Sequence, residues 1–240
     1  MASAKKSFVR RIVSFIKRVL AFFFCSSILA VVLYRFVPVP VTPLMVIRCV
    51  QQAKSGKTIT LHHSWTPLEQ MSPHMPVAAM ASEDQRFFIH KGIDGEAIEQ
   101  AMKDNKKRKA RRGGSTISQQ TAKNVFLWPN STWVRKGFET YFTILIELFW
   151  SKQRIMEVYL NSIEMGDGIY GLKAVAKEHF GKEPSQLTRS ECALIAATLL
   201  NPLKRNSKHP TPYLLKRQKQ IERQMRNIGS FPKEGESIDN

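Results

Sequence analysis

The chain has 240 residues, 43% of them hydrophobic, and a formal net charge of +18 from 37 Lys and Arg against 19 Asp and Glu. That length suits one ordinary domain plus an appendage, with enough apolar material to bury a real core. Three cysteines, Cys25, Cys49 and Cys192, show neither metal-like spacing nor a disulfide framework, which argues against a zinc site and a cysteine-stapled scaffold.

Seven cations precede residue 36, and no acid occurs before Glu69. The remaining 30 cations against 19 acids still leave about +11. Such a surface favours a polyanionic partner: nucleic acid, anionic lipid or a phosphorylated substrate.

Val19 to Val37 reads VLAFFFCSSILAVVLYRFV, with Arg35 as its only charge. It is close to the roughly 20 apolar residues that span a bilayer. Six cations ahead of it predict a cytoplasmic N-terminus and the bulk of the chain on the outer side of the membrane. A cleaved signal peptide is the alternative, but it calls for a shorter apolar run and a small-residue cleavage site. The expected division is a basic cytoplasmic segment at 1–18, a single-pass anchor at 19–37, a stiff proline-rich linker at 38–50, a domain at 51–228 and a frayed tail at 229–240. The anchor argues against nucleic acid as partner.

Beyond the anchor, Lys57 to His62 alternates and predicts one short strand. The rest reads as helix. Segments are expected at Pro76 to Ser82, Ala97 to Asn105, Ile117 to Phe126, Val134 to Trp150, Ser151 to Ile163, Leu172 to Phe180 and Pro212 to Ile228. Gly181 stops one of them, and Ser190 reads as the N-cap of the small-residue helix ECALIAATLL. The fold class is therefore mainly α.

Three clusters carry candidate chemistry. Glu83 and Asp84 precede Gln85-Arg86-Phe87-Phe88 and His90. They are either exposed acids at a helix end or a carboxylate pair in an aromatic-walled cleft, where burial raises and cations lower a carboxyl pKa. Gly113-Gly114-Ser115-Thr116 opens a helix whose N-terminal N–H groups are suited to an anion. Ser115, Gln119 and Lys123 recur at four-residue spacing, with Gln120 and Asn124 on the adjacent stripe. The plain alternative is an ordinary capped polar helix. Arg135, Lys136 and Glu139 form the third cluster, for which a surface intrahelical ion pair is the simplest account. The run Lys106 to Arg112 holds six cations in seven residues and reads as a solvated loop or an anionic-lipid contact.

Taken together, EDQRFFIHKGID at 83–94, RGGSTISQQTAKN at 112–124, RKGFE at 135–139, KQRIMEVYLNSIEMGDGIYGLKAVAKEHFGK at 152–182 and ALIAATLLNPLKRN at 193–206 resemble the five motifs of the monofunctional peptidoglycan glycosyltransferases, in order. The short chain with an anchor and no added penicillin-binding domain is expected to be of that single-domain type. The resemblance implies a lysozyme-like helical fold acting on lipid II and a growing glycan strand, with β-1,4 linkage and release of the lipid pyrophosphate. It implies Glu83 as general base and Glu139 as the second catalytic glutamate, near the donor pyrophosphate. Lys123 matches a pyrophosphate contact, and Asp84, Ser115, Gln119, Gln120, Asn124, Arg135 and Lys136 fall among the substrate-binding positions. Mg²⁺ or Mn²⁺ at Glu139 is expected by analogy, though no ligand cage is visible, and other cell-wall synthesis or division proteins are expected partners. Many relatives carry a basic residue at the positions of Ser131 and Gln100, for which Lys103 or the run from Lys106 to Arg112 is expected to compensate.

The chemistry agrees. Pyrophosphate leaves as a stabilised anion and needs cations beside it, with one base for the attacking hydroxyl. Cutting sugar from sugar instead needs an acid and a second carboxylate. A lysozyme-like hydrolase and a non-catalytic membrane-tethered scaffold are the competing readings.

Overall fold

In a computed structural model, residues 2–107, 114–130 and 132–232 are described. Ser131 and most of the basic run, 108–113, lie outside them, as does the tail from 233. The chain divides into two units, 1–37 and 38–240. The first is a single helix, α1 (Ala2–Phe36). Its stretch Arg10–Phe36 has a mean hydropathy of 2.1 over its most apolar window. At about 1.5 Å per residue its 27 residues are long enough to cross a bilayer.

The second unit is mainly helical, as expected. Its first helix is α2 (Pro43–Lys54). The segment read as a linker is therefore extended only at its start. Thr42 accepts a hydrogen bond from the Met45 N–H, and Pro43 occupies the first helical turn, where a missing N–H is harmless. Prolines taken as marks of extension here introduce a helix, and Leu44 and Met45 are buried with Tyr170.

A small sheet follows, with strand order β1-β3-β2. Strands β1 (His62–His63) and β3 (Ile169–Tyr170) run parallel, and β2 (Glu164–Gly166) runs antiparallel to β3. The alternating stretch from Lys57 thus pairs only at its end. There the His62 N–H donates to the Gly168 carbonyl at 2.7 Å. Gly168 has φ +71°, and a Cβ there would lie 2.4 Å from the Thr60 carbonyl oxygen, so only glycine fits this turn.

The centre is built from α3 (His74–Glu83) and α9 (Arg189–Thr198). Both are rich in alanine, and Ala78, Ala79, Ala193, Ala196 and Ala197 are fully buried. Small side chains let two backbones approach closely and hold α3 rigidly. Thr188, not Ser190, caps α9: its hydroxyl accepts from the Glu191 N–H, and Glu191 returns a bond to the Thr188 N–H. Glu191 sits three residues after Thr188, the spacing that a capping box requires.

The remaining helices are α4 (Gly95–Lys107), α5 (Ile117–Phe126), α6 (Trp133–Phe149), α7 (Lys152–Ser162), α8 (Gly171–Val175) and α10 (Pro212–Ile228). After α8 the backbone widens into a π turn, Ala176–Phe180, and ends at left-handed Gly181. Helix α5 packs between α6 and α7, while α10 lies along α3 and α9 through Leu214, Ile221 and Met225. All three cysteines are free; Cys192 is buried, but Cys49 is only half-buried.

Candidate active site

Glu83 is the last residue of α3. One carboxylate oxygen lies 2.9 Å from Ser82 Oγ and the other accepts from Gln120 Nε2 at 3.1 Å. The Ser82 hydroxyl is also 3.1 Å from the Ala196 carbonyl, so two acceptors compete for its single proton. Burial pushes the Glu83 carboxyl above its ordinary value. Hydrogen bonds from Gln120 and Ser82 and the Arg217 charge work against that rise. The cleft reading of Glu83 is the one the geometry favours.

Asp84 is buried, though it too borders the large cleft beside Glu83. Its carboxylate accepts from the Ile117 backbone N–H at 3.0 Å and lies 2.9 Å from His90 Nε2. His90 Nδ1 accepts from the Gly92 N–H, so the ring proton sits on Nε2 and points to Asp84. Gly92, at φ +90°, permits this turn; a Cβ there would meet Thr143 and Glu147 at under 3.0 Å.

The start of α5 is therefore filled from within. Asp84 takes the first N–H, and the Thr116 hydroxyl accepts from the Gln119 N–H while donating to the Gly92 carbonyl. Gln119 returns its side-chain oxygen to the Thr116 N–H. The expected anion grip through this helix N-terminus is thus corrected: its leading donors already bond the protein. Nor do the polar residues act as one strip. Gln119 is buried in the cap and Asn124 is buried, whereas Ser115 is exposed at the cleft. A capping box and a ligand strip share the same residue types. Ser115 and Gln120 line the large cleft, while Lys123 and Asn124 line a small cavity.

Lys123, Arg135, Lys136 and Glu139 come together. Thr132 caps α6 through the Arg135 N–H and so sets Arg135, Lys136 and Glu139 within its first two turns. Arg135 Nη1 meets Glu139 Oε2 at 2.6 Å, and Lys136 pairs with Oε1. The side chains of Glu139 and Arg135 are only 3% and 9% exposed, so this is a buried pair, not the surface pair expected. Burial lowers the Lys123 pKa; Glu139 and Glu83 raise it, while Arg135 and Lys136 lower it further. Lys123 and Asn124 line a small cavity of about 170 Å³ with Arg48, Trp128 and Glu164.

A larger cleft of about 1170 Å³ is lined by Glu83 together with Ser82 and Asp84. Ser115, Gln120, Gln100, Lys103, Arg205 and Arg217 are among its lining residues. Lys103, expected to compensate for a missing basic residue, is ion-paired with Glu99 at 2.6 Å on the exposed rim. Sequence reasoning missed Ser82 and the face of α10 that carries Arg217. The spacing of Tyr213, Arg217, Gln220 and Gln224 was the signal available.

Glu139 alone does not suit a divalent cation. Both of its oxygens are engaged by cations, and no group of three or more His, Cys, Asp or Glu among the described residues is arranged to hold a metal.

The transglycosylase family model matches residues 51–226. With that match over a helical domain of this kind, the chain belongs to the transglycosylase family. It is 62% identical to the biosynthetic peptidoglycan transglycosylase of Bacteroides thetaiotaomicron over 224 residues, covering 93% of this chain and 90% of the relative. The Bdellovibrio bacteriovorus protein of that name is 52% identical, over 83% of this chain and 80% of its own. One from Pseudomonas putida is 47% identical, over 89% and 91%. The mainly α, lysozyme-like class expected from the motifs holds.

Proposed function

We propose that the chain is a peptidoglycan glycosyltransferase that polymerises lipid II into β-1,4-linked glycan and releases undecaprenyl pyrophosphate. Glu83, as general base, takes the proton of the acceptor's 4-hydroxyl. That oxygen forms its bond to the donor's anomeric carbon as the bond from that carbon to the phosphate oxygen breaks. The electron pair leaves on the pyrophosphate, where Lys123 and Lys136 meet the charge. Glu139 holds Arg135 and Lys136 in place beside it. One in-line displacement turns an α-linked donor into a β-linkage.

The observation that carries this reading is the position of Glu83 between a wide cleft and a cationic cluster. A hydrolase needs a second carboxylate working on the sugar. Glu139 is tied to two cations, which disfavours that role. The helix Arg10–Phe36 supports an anchor in the inner membrane, N-terminus inside and domain outside, where the lipid-linked substrate and other cell-wall synthesis or division proteins reside.

Purified chain incubated with lipid II in detergent should yield polymer and free pyrophospholipid, and Glu83→Gln should abolish both while keeping the fold. Absence of polymer from the parent chain across detergents and divalent metals rejects the proposal.

A further inference from the structure

Helix α10 turns one face to the large cleft. Tyr213, Arg217, Gln220 and Gln224 follow one another at intervals of four, three and four residues, which sets them along one side of a helix, and all four line the cleft. None lies in the five motifs. Two atoms of this stripe, Arg217 Nε and Gln224 Oε1, are buried without a hydrogen-bond partner among the described residues. One is a donor and the other an acceptor. Unpaired buried polar groups are rare in folded proteins and call for a reason. Near the rim, Arg205 stacks over the half-exposed Tyr213 ring at 5.0 Å, forming a flat surface.

The direction of the chemistry says what belongs there. In-line displacement places the attacking oxygen and the leaving phosphate on opposite sides of the reacting carbon. Gln120 and Lys123 are three residues apart on α5, yet Gln120 lines the cleft and Lys123 lines the small cavity. With the phosphate on the Lys123 side, the attacking sugar enters from the cleft, past Glu83 and against α10.

We propose that Arg217, Gln220 and Gln224 form the recognition wall for the acceptor, reading the acetamido and hydroxyl groups of its N-acetylated amino sugar. This rests on the glycosyltransferase reading above. An acetamido group offers one carbonyl acceptor and one N–H donor, and the sugar adds hydroxyls; the Arg217 guanidinium donates, and the Gln220 and Gln224 amides both donate and accept, along the same cleft wall. Arg217 also lies 3.4 Å from the Ser82 carbonyl, so the wall is joined to the helix end that presents Glu83.

The test separates the two substrates. The donor is a lipid-linked disaccharide whose own 4-hydroxyl is blocked; the acceptor is the corresponding disaccharide-peptide with a free 4-hydroxyl and no pyrophosphate, which cannot act as donor, and both Michaelis constants are measured on the full chain in detergent. Arg217→Lys and Gln224→Ala should raise the acceptor KM about tenfold or more while the donor KM stays within about twofold. An acceptor with hydroxyl in place of acetamido should lose affinity for the parent but little further for Gln224→Ala. Thermal melts establish that each variant folds. Should either fail to fold, Gln220→Ala, half-buried on the same stripe, carries the test. Equal rises in both constants, or none, overturn the wall while leaving the enzyme reading intact. A parent chain that couples nothing rejects both.

Discussion

The Asp84 carboxylate accepts a hydrogen bond from the Ile117 backbone N–H at 3.0 Å, so the residue beside the proposed base supplements the Thr116 cap of the helix that carries Gln120 and Lys123. The end of α3 and the start of α5 are thereby registered to each other by one buried anion, itself oriented by His90. Asn in place of Asp84 keeps the shape and loses the charge. Asp84→Asn should destabilise the domain by about 1–2 kcal/mol, the scale of a lost cap, and lower Tm by about 2–8 °C. Polymerisation should fall about tenfold or more as Gln120 drifts from Glu83. A melt and an initial rate both equal to the parent's count against this registration.

Burial raises the Glu83 carboxyl, while Gln120 donates to its ionised form and lowers it. The base works deprotonated, so the acid limb of kcat/KM should lie above the ordinary carboxylate range. Removing a donor to the charged form raises a pKa. Gln120→Ala should therefore move that limb to higher pH, and a limb shifted to lower pH contradicts the assignment.

The same shift has a stability consequence. A carboxyl whose folded pKa exceeds its unfolded one favours folding fully below the unfolded value and loses that benefit as pH rises through the folded value. At pH 7 Glu83→Gln should melt higher than the parent, by about 0.5–2 kcal/mol, and the gap should close towards pH 4. Paired thermal scans at the two pH values decide it; a constant gap speaks against the burial account.

Glu139 and Arg135 are buried partners. Removing one should cost about 3–5 kcal/mol because the other is left as an uncompensated charge. Glu139→Ala and Arg135→Ala should each be severe, and the double variant clearly milder than their sum. Additive losses in denaturant titrations would falsify the coupling.

Lys123 is asked to stabilise charge that develops on the leaving group. Lys123→Ala should reduce kcat about 10²–10³-fold, and Lys123→Arg should restore part of it. A loss confined to KM would assign the lysine to ground-state binding instead.

Much of this was legible in the chain. Helices at Ile117–Phe126 and Pro212–Ile228 are readable in the chain, and Lys123, Arg135, Lys136 and Glu139, singled out from the motifs, lie near one another in the fold. What stayed hidden depends on through-space pairing. The Gly-Ser-Thr turn looks like an anion grip until a carboxylate 33 residues upstream is seen to occupy it. Asp84 looks like a second ligand-facing acid, but its carboxylate is already engaged by the Ile117 N–H and by His90. Arg135 and Glu139 have the spacing of a surface pair, and only tertiary packing removes the water. The Arg217 face shows a helical period yet carries no motif, so nothing in the linear order ties it to Glu83.

Ser82 Oγ, with Glu83 on one side and the Ala196 carbonyl on the other, works as a two-position rotor. When the base is ionised the hydroxyl points its hydrogen at the carboxylate. When the base has taken a proton, the hydrogen swings to the carbonyl, and the freed lone pairs can receive the new O–H. The proton can come and go at Glu83 without the surrounding helices having to move.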